Sequence, residues 1–218
     1  MEFQNYLDQF QRWPSSGRHI LAQFDADSII VYQAYRPAIA DFAVSNQRFG
    51  SEFSFRRMSW IKPNFLWMMY RSGWAAKEGQ ERILAIRVKR SFFDELLSTV
   101  VPSSFTDRFS SREAWQAAVA GSDVRLQWDP DHDPTGAPVQ RRAVQLGLRG
   151  QALRRFATCE LVSIEDLTEF VVAQRLHASG DLSSLVTPAE QVYLPVDRAV
   201  ASVAAIDVDD KNAEAGFI

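Results

Sequence analysis

The chain has 218 residues and a formal net charge of −3, and 46% of its residues are hydrophobic and 12% aromatic. This apolar content is enough for one large domain or two small ones with a buried core. No apolar run approaches the roughly 20 residues of a membrane-spanning helix, and the N-terminus lacks the basic and then apolar order of a signal peptide. We therefore expect a globular protein of the cytoplasm that does not bind membranes.

The single cysteine, Cys159, excludes an intrachain disulfide and a zinc site built from several cysteines. It lies in the apolar segment RFATCELVSI, which favours a buried, unreactive thiol over a nucleophile. A chain without disulfides also fits a reducing compartment such as the cytoplasm.

The first part of the chain predicts an alternation of helices and strands. Residues 1–17 predict a short helix that ends at the punctuating segment WPSSG. A buried strand is predicted around residues 29–31, because β-branched side chains are concentrated there. A helix is predicted next, from Pro37 to Gly50. Residues 53–61 show a weak alternation of apolar and polar side chains, which predicts a short strand.

The segment RMSWIKPNFLWMMYRSGWAAK, residues 57–77, combines tryptophans, methionines and cations. A helix is predicted after Pro63, with Gly73 at its C-terminal cap. Helical spacing places Leu66 and Met69 on one face. A separate aromatic stripe lies beside Arg71. That stripe is formed by Trp67, Tyr70 and Trp74.

The next segment, ERILAIRVK, is the clearest strand of the sequence. Leu84, Ile86 and Val88 fall on one side, whereas the other side ends in Arg87 and Lys89. This alternation predicts that one side of the strand faces solvent.

The second half predicts helices at SFFDELLSTV and SSREAWQAAVAG, a strand at DVRLQWD, a loop at PDHDPTGAP and a strand at RRAVQLGL. Helices from Gly150 and from Ser163 and a last strand at EQVYLPVD complete the pattern. The strands and helices do not follow a regular βαβ order. We predict one α+β domain over residues 1–200, with a mixed or split central sheet, and an acidic, alanine-rich, mobile tail over residues 201–218.

The distribution of charge suggests an anionic ligand. Residues 56–90 contain nine lysines and arginines against two glutamates, and the segment RRAVQLGLRGQALRR adds five arginines. Such a basic region in an acidic protein indicates a nucleotide or a phosphate backbone as partner, although solvated helix faces and ion pairs with the acidic tail remain an alternative. An aromatic surface beside a cation would hold a flat anion.

The residues predicted to bind such a ligand lie in two segments. The segment VYQAYRP brings polar side chains to the start of a helix, where anions bind readily and an arginine can hold a phosphate. The tryptophan-rich segment supplies the aromatic surface, for which core packing is the alternative. The predicted binding residues are Gln33, Tyr35, Arg36, Trp60, Lys62, Trp67 and Arg71.

The segment QWDPDHDPTG holds a cluster of carboxylates and a histidine, formed by Asp129, Asp131, His132 and Asp133. These ligand types suit a divalent metal ion. The same residues with proline and glycine also form ordinary turns, and the spacing is not that of a calcium-binding hand. The sequence leaves a metal site and a turn as alternatives.

The segments quoted above resemble those of a bacterial and fungal family known as domain of unknown function 4291. The segments concerned are YQAYRPAIADFAV, RMSWIKPNFLWMMYRSGWAAK, QERILAIRV, QWDPDHDPTG and RRAVQLGLRG. The resemblance covers residues 18–197, which is nearly the whole chain. The family name by itself implies no activity.

More distantly, VYQAYRPAIADF resembles the first strand and helix of ADP-ribosyltransferases, with Tyr32, Gln33 and Ala34 at the turn. Glu190 in AEQVY is similar to the glutamate of the Glu-x-x-Tyr motif in poly(ADP-ribose) polymerase-like members. This resemblance implies NAD as cofactor on a split sheet, with Glu190, Tyr32 and Tyr70 as catalytic residues. Glu190 is then expected to stabilise an oxocarbenium ion, while aromatic side chains enclose the nicotinamide.

The sequence leaves three functions open, since it lacks the GxxxxGKS, GxGxxG, HExxH and GxSxG signatures. The first is an ADP-ribosyltransferase-like enzyme that binds NAD or another nucleotide and modifies a nucleic acid or protein. The second is a non-enzymatic module for single-stranded RNA or DNA. The third is a metal-dependent enzyme that uses residues 129–133. The first predicts that Trp67 and Tyr70 lie near Tyr32 and Arg36.

Overall fold

A computed structural model of the chain describes residues 1–208, which form both helices and strands. The helices are α1 (Tyr6–Phe10), α2 (Pro37–Asn46), α3 (Phe65–Ser72), α4 (Arg90–Ser98), α5 (Arg112–Gly121), α6 (Gly150–Ala157), α7 (Thr168–Ala178) and α8 (Arg198–Val203), with a 3₁₀ turn at Leu182–Ser184. The strands are β1 (Phe3–Asn5), β2 (Gly17–Arg18), β3 (Ile20–Ala22), β4 (Ser28–Tyr35), β5 (Ser59–Ile61), β6 (Arg82–Lys89), β7 (Val101–Pro102), β8 (Val124–His132), β9 (Pro138–Leu148), β10 (Leu161–Asp166), β11 (Val186–Pro188) and β12 (Gln191–Tyr193). This mixture confirms the predicted α+β class.

An antiparallel three-stranded sheet, in the order β10-β6-β4, is buried on both faces. Leu84 and Ile86 of β6 belong to one hydrophobic core, whereas Ile83 and Ala85 belong to a second core on the opposite face. The prediction that one side of β6 faces solvent is therefore wrong. Only the end of the strand reaches solvent, because α3, α7 and the N-terminal segment cover the second face.

A five-stranded sheet curls into a half barrel and faces the first core. β8 and β9 form its central hairpin, and β2, β5 and β7 pair along their outer edges. Strands were predicted at both hairpin positions, and both are confirmed. The predicted loop at residues 130–138 is shorter than expected, because β8 continues to His132 and pairs there with Pro138.

The two sheets meet at one backbone hydrogen bond. Tyr32 N, in β4, donates to the carbonyl of Lys62 at 2.7 Å, directly after β5. This isolated bridge connects the buried three-stranded sheet to the edge of the curled sheet. The backbone of Lys62 is therefore fixed at the junction of the two sheets, independently of the contacts of its side chain.

Local signals fix both ends of α3. The Asn64 side chain accepts a hydrogen bond from Trp67 N at 2.7 Å and caps the first turn. Gly73 ends the helix with a φ of 59°, a left-handed conformation that glycine adopts without strain. Lys77 Nζ then donates to the carbonyls of Tyr70 and Arg71. The predicted helix and its glycine cap are confirmed.

Four sequence predictions of local structure are wrong. Residues 1–17 contain β1 before α1, because β1 pairs with β11 far along the chain. Residues 161–166 form β10 rather than the start of a helix at Ser163, because they pair with β6. α2 ends at Asn46, with the left-handed Gln47 (φ 50°) as its C-cap, and does not continue to Gly50. Cys159 is exposed, because it lies in the turn between α6 and β10.

The predicted tail starts within α8. Ala201, Ala204 and Ile206 are buried against the first core, so the packed part of the chain reaches at least Ile206. Residues 209–218, which carry most of the predicted tail, lie outside the described residues. Within residues 1–208, no helix is long and apolar enough to cross a membrane.

Candidate functional site

One side of the curled sheet is polar, although most of its residues are shielded from solvent. Side chains alternate along β8 and β9, so Leu126 and Val144 point into the first core while their neighbours point to the opposite side. We name that opposite side the polar sheet face. It consists of Arg125, Gln127, Asp129, Asp131, Arg141 and Gln145, together with Lys62 after β5.

Two glutamines hold the carboxylate of Asp129 in place. Gln127 Nε2 donates to Oδ1 and Gln145 Nε2 donates to Oδ2, each at 2.7 Å. The two glutamines stand opposite each other in the β8–β9 register, so they approach the carboxylate from neighbouring strands. A carboxylate oxygen can accept more than one hydrogen bond, so Asp129 keeps acceptor capacity for a ligand.

Lys62 is buried on the polar sheet face, where it is only 4% exposed. Its Nζ lies 4.5 Å from the centroid of the Trp67 ring. Burial and, to a smaller extent, the positive charge of Arg71 lower the pKa of the Lys62 amine to about 7, while Asp129 acts in the opposite direction. Among residues 1–208, no side chain or carbonyl forms a hydrogen bond or ion pair with this amine.

Aromatic rings line the site beside Lys62. Trp67 is buried and its indole N–H has no hydrogen-bond partner among residues 1–208. Tyr70 stacks on His132, with ring centroids 3.5 Å apart, and contacts Trp67 edge to face. Trp60 covers Gly147, where a Cβ would lie 3.0 Å from the indole, so glycine permits this close approach. Trp67 and Tyr70 therefore form an aromatic wall beside the lysine.

A buried ion pair closes one end of the polar sheet face. Arg141 Nε donates to Oδ2 of Asp131 at 2.8 Å, and Arg141 Nη2 forms an ion pair with the same oxygen at 2.6 Å. Arg141 Nη1 also donates to the carbonyl of Pro14 at 2.6 Å, and the guanidinium lies over the Trp13 ring. The pair therefore ties the N-terminal segment to the curled sheet.

The site opens to solvent at its other end. Gln127, Asp129 and Trp60 are partly buried there, while Tyr70 and Arg71 are exposed. A cleft of about 630 Å³ lies elsewhere, between α4, α5 and α6, and none of its lining residues belongs to the polar sheet face. The charged groups of that cleft pair with each other, as Arg155 does with Glu95, so the cleft offers less to a ligand than the lysine does.

The family model for a domain of unknown function, DUF4291, matches residues 19–193. The chain belongs to the DUF4291 family. The matched residues run from β3 to β12 and contain the whole polar sheet face, and they confirm the resemblance inferred from the sequence. A search of curated proteins finds no significant match to the chain.

In this DUF4291 protein, the predicted catalytic residues lie in different surroundings. Tyr32 points into the second core, and its hydroxyl is buried without a hydrogen-bond partner among residues 1–208. Glu190 is also buried, and its Oε1 accepts a hydrogen bond from Phe65 N at the first turn of α3, at 2.7 Å. Tyr70, by contrast, is 45% exposed at the open end of the polar sheet face. The structure therefore brings Tyr70, but not Tyr32, to the site.

The predicted turn at Tyr32, Gln33 and Ala34 is wrong, because these residues lie within β4 and pair with residues 83–85 of β6. Gln33 Nε2 donates to Ser59 Oγ and to the carbonyl of Trp60, at 2.7 and 3.0 Å. These bonds attach β4 to β5 and engage the amide nitrogen of Gln33.

Tyr35 and Arg36 lie away from the aromatic stripe. The Tyr35 ring packs against Phe49 and Phe53 in the first core. Arg36 is exposed and pairs with Glu52 at the start of α2. Trp67 lies beside Lys62 and Tyr70 beside His132. The Tyr32 ring instead contacts Phe65 in the second core, and Arg36 pairs with Glu52.

The candidate metal residues have separate partners. Asp129 binds two glutamines and Asp131 binds Arg141. Asp133 accepts hydrogen bonds from Thr135 and Ala137 within its own turn, and His132 stacks on Tyr70. Within residues 1–208, no group of three or more histidine, cysteine, aspartate or glutamate side chains could hold a metal ion. This arrangement favours the turn over the metal site.

Sequence reasoning missed the glutamines that hold Asp129. Gln127 lies between Leu126 and Trp128, and Gln145 lies between Val144 and Leu146. A polar residue at every second position of an otherwise apolar strand is the signal that could have revealed a polar face. The pairing register that brings both glutamines to one carboxylate is not encoded locally.

We expect Glu190→Gln to raise the free energy of unfolding at about pH 8 by roughly 1 kcal/mol or more, measured by chemical denaturation. Burial raises the pKa of Glu190 well above its usual value. The native state then holds the proton to a higher pH than the unfolded state. The stability contributed by the protonated carboxyl group of Glu190 is complete below its unfolded-state pKa and is lost as the pH rises through its folded-state pKa. The amide keeps the acceptor for Phe65 N and does not ionise.

The gain from Glu190→Gln should shrink as the pH is lowered toward 4. Glu78→Gln, a substitution of an exposed carboxylate, is the matched control and should change stability by less than about 0.5 kcal/mol. A Glu190→Gln protein that is less stable than the wild type at about pH 8 would show that the buried carboxylate is ionised and needed as a charge.

Proposed function

We propose that the protein binds a flat, anionic ligand of the nucleotide class on the polar sheet face. The observation that carries this proposal is the Lys62 amine, which lies buried against the Trp67 ring without an anionic partner among residues 1–208. Removing a cation from water costs free energy unless an opposite charge compensates it. A phosphate near this amine would provide that compensation and raise the pKa of Lys62.

Arg71 and the aromatic rings support the same ligand class. Arg71 is exposed on α3, and its electrostatic effect on Lys62 shows that the two cations act on one region. An arginine can hold two phosphate oxygens at once. Tyr70, which is exposed beside the buried Trp67, supports a contact with a base or nicotinamide ring.

Asp129 adds specificity to this proposal. Its carboxylate is fixed by Gln127 and Gln145 and faces the same side of the sheet as Lys62. A fixed acceptor of this kind suits the hydroxyl groups of a ribose or the amino group of a base. A ligand that carries hydrogen-bond donors as well as phosphates would contact both Asp129 and the two cations, Lys62 and Arg71.

NAD belongs to this ligand class, and it is present in the cytoplasm, the location that we propose for the protein. The resemblance to ADP-ribosyltransferases supports a transfer of ADP-ribose to a nucleic acid or protein as the finer proposal. Glu190 is buried, and its carboxylate accepts a hydrogen bond from the first turn of α3, which supports a structural role for that residue. We therefore assign the contacts with NAD to Lys62, Arg71 and Tyr70.

The test is calorimetric titration of the wild-type protein with ADP, NAD, adenosine and inorganic phosphate. We expect ADP and NAD to bind more tightly than adenosine, and Lys62→Met to weaken ADP binding by about tenfold or more, since each tenfold corresponds to about 1.4 kcal/mol. Arg71→Gln should weaken ADP binding without changing the affinity for adenosine. Raising the salt concentration should weaken the binding of ADP but not of adenosine.

Arg142→Gln is the matched control, because Arg142 is an exposed arginine on the opposite side of β9. It should leave every affinity unchanged, and thermal unfolding should show that all variants are folded. ADP and NAD that fail to bind at millimolar concentration, or that bind Lys62→Met as tightly as the wild type, would contradict the proposed site. Release of nicotinamide from NAD, with ADP-ribose attached to RNA or protein, is the result that the transferase proposal requires.

A further inference from the structure

The chain has four lysines, and the described ones have very different surroundings. Lys77 is exposed and donates to two carbonyls at the end of α3. Lys89 is exposed and pairs with Glu160 at 3.1 Å. Lys62 alone among the lysines of residues 1–208 is buried, and it has neither a hydrogen bond nor an ion pair. Its nitrogen is nevertheless not fully enclosed by protein.

The surroundings of Lys62 favour the unprotonated amine. The nearest contacts are the Trp67 ring and the electrostatic effects of Arg71 on α3 and Asp129 on β8; His132 lies further along β8. An apolar wall and a neighbouring cation both destabilise an ammonium ion, and a lysine activated in this way attacks carbonyl carbon. With its pKa lowered to about 7, a large share of the amine is unprotonated at neutral pH.

We propose that Lys62 is a nucleophile that forms an imine with an aldehyde or ketone of an anionic ligand on the polar sheet face. This inference rests on the proposed function, because both place the ligand over the same amine. The inference adds the chemical class of the ligand to the proposed function. The ligand is a compound that carries a phosphate or carboxylate and a reactive carbonyl group. Arg71 holds the anionic group, and the Trp67 ring lies along one side of the reacting nitrogen.

The reaction consumes no oxidant and no reductant. The Nζ lone pair forms a bond to the carbonyl carbon, while the carbonyl oxygen takes up a proton and becomes a hydroxyl group. The nitrogen has given up one proton by this point. The hydroxyl group takes up a second proton and leaves as water, the nitrogen gives up its other proton, and a carbon–nitrogen double bond results. Water hydrolyses the imine by the reverse path and restores the amine.

The experiment uses the full-length wild-type protein with pyridoxal phosphate, a flat aldehyde that carries a phosphate, and with pyridoxal, which lacks the phosphate. Borohydride reduces any imine to a stable secondary amine, and mass spectrometry of the digested protein locates the modified lysines. At about pH 7 we expect Lys62 to be modified about tenfold faster than Lys77 and Lys89, because a lysine ammonium must lose its proton before it reacts.

The outcomes separate this inference from the proposed function. Selective modification of Lys62 by both aldehydes supports the imine, and a preference for pyridoxal phosphate together with protection by ADP supports the anion site as well. Modification of Lys77 and Lys89 with Lys62 unmodified overturns the imine proposal, whereas ADP binding by calorimetry would still stand. Lys62→Arg should lose the selective label and leave the labelling of Lys77 and Lys89 unchanged.

Discussion

Replacing Arg141 with methionine is expected to lower the free energy of unfolding by about 3–5 kcal/mol, the range typical of broken buried ion pairs. Asp131 would keep its place on β8, 1% exposed, without its cationic partner. The carbonyl of Pro14 would lose its donor, and the Trp13 ring would lose the contact with the guanidinium. Urea denaturation monitored by tryptophan fluorescence measures the change.

Arg142→Met is the matched control for Arg141→Met. The two arginines are neighbours on β9, but Arg142 is exposed, so its substitution should change stability by less than about 0.5 kcal/mol. The double variant Arg141→Met with Asp131→Leu should recover part of the loss, because it removes the unpaired carboxylate. An Arg141→Met protein within about 1 kcal/mol of the wild type would show that the pair does not hold the N-terminal segment.

The second large effect is expected from Lys62→Met, which should raise the free energy of unfolding at about pH 7 by roughly 1–4 kcal/mol. Burial and Arg71 lower the pKa of Lys62 in the native state to about 7, so the unfolded chain binds more protons at and above this pH. Methionine fills a similar volume beside Trp67 without a charge. Chemical denaturation across a range of pH measures the effect.

The sign of the pH dependence follows from the lowered pKa. Between about pH 7 and the ordinary lysine range near 10, the unfolded state holds the proton more strongly, so wild-type stability should rise with pH. The advantage of Lys62→Met should therefore shrink as the pH rises. Lys89→Met, an exposed lysine with one surface ion pair, is the control and should change stability by less than about 1 kcal/mol at every pH.

A Lys62→Met protein that is more stable but binds ADP more weakly is the combined result that we expect. Residues retained for function often lower stability, because a binding site contains groups that lack partners until the ligand arrives. A variant that is less stable at about pH 7, or whose advantage does not vary with pH, would contradict the unpaired state of the amine. The two measurements therefore test stability and binding at the same residue.

Helices and strands with local signals could be predicted from the sequence. Asn64 and Gly73 lie at the ends of α3, and alternation reveals β6, β8 and β9. Ser111 caps α5 by accepting a hydrogen bond from Ala114 N, as the serine before REAW indicates. The predictions failed where pairing partners are remote: β10 on β6, and β1 on β11. Distant pairing overrides local propensity there.

The candidate site was predicted only in part. Lys62, Trp67, Arg71 and Tyr70 were placed together because they lie within one short segment around α3. Gln127 and Gln145 were missed, because their common target depends on the β8–β9 register. Tyr32 was assigned to the site on resemblance, whereas the alternation of β4 turns its side chain into the second core.

The sequence by itself determined the α+β composition, the aromatic helix with its caps and the excess of cations around it. Periodicity and capping act within a few residues, so they can be deduced without knowledge of the fold. The tertiary structure decided which of these cations is buried without a partner among residues 1–208. Lys62 is buried because the backbone of Tyr32 binds its carbonyl and the curled sheet closes beside it, and both contacts join segments far apart in the chain.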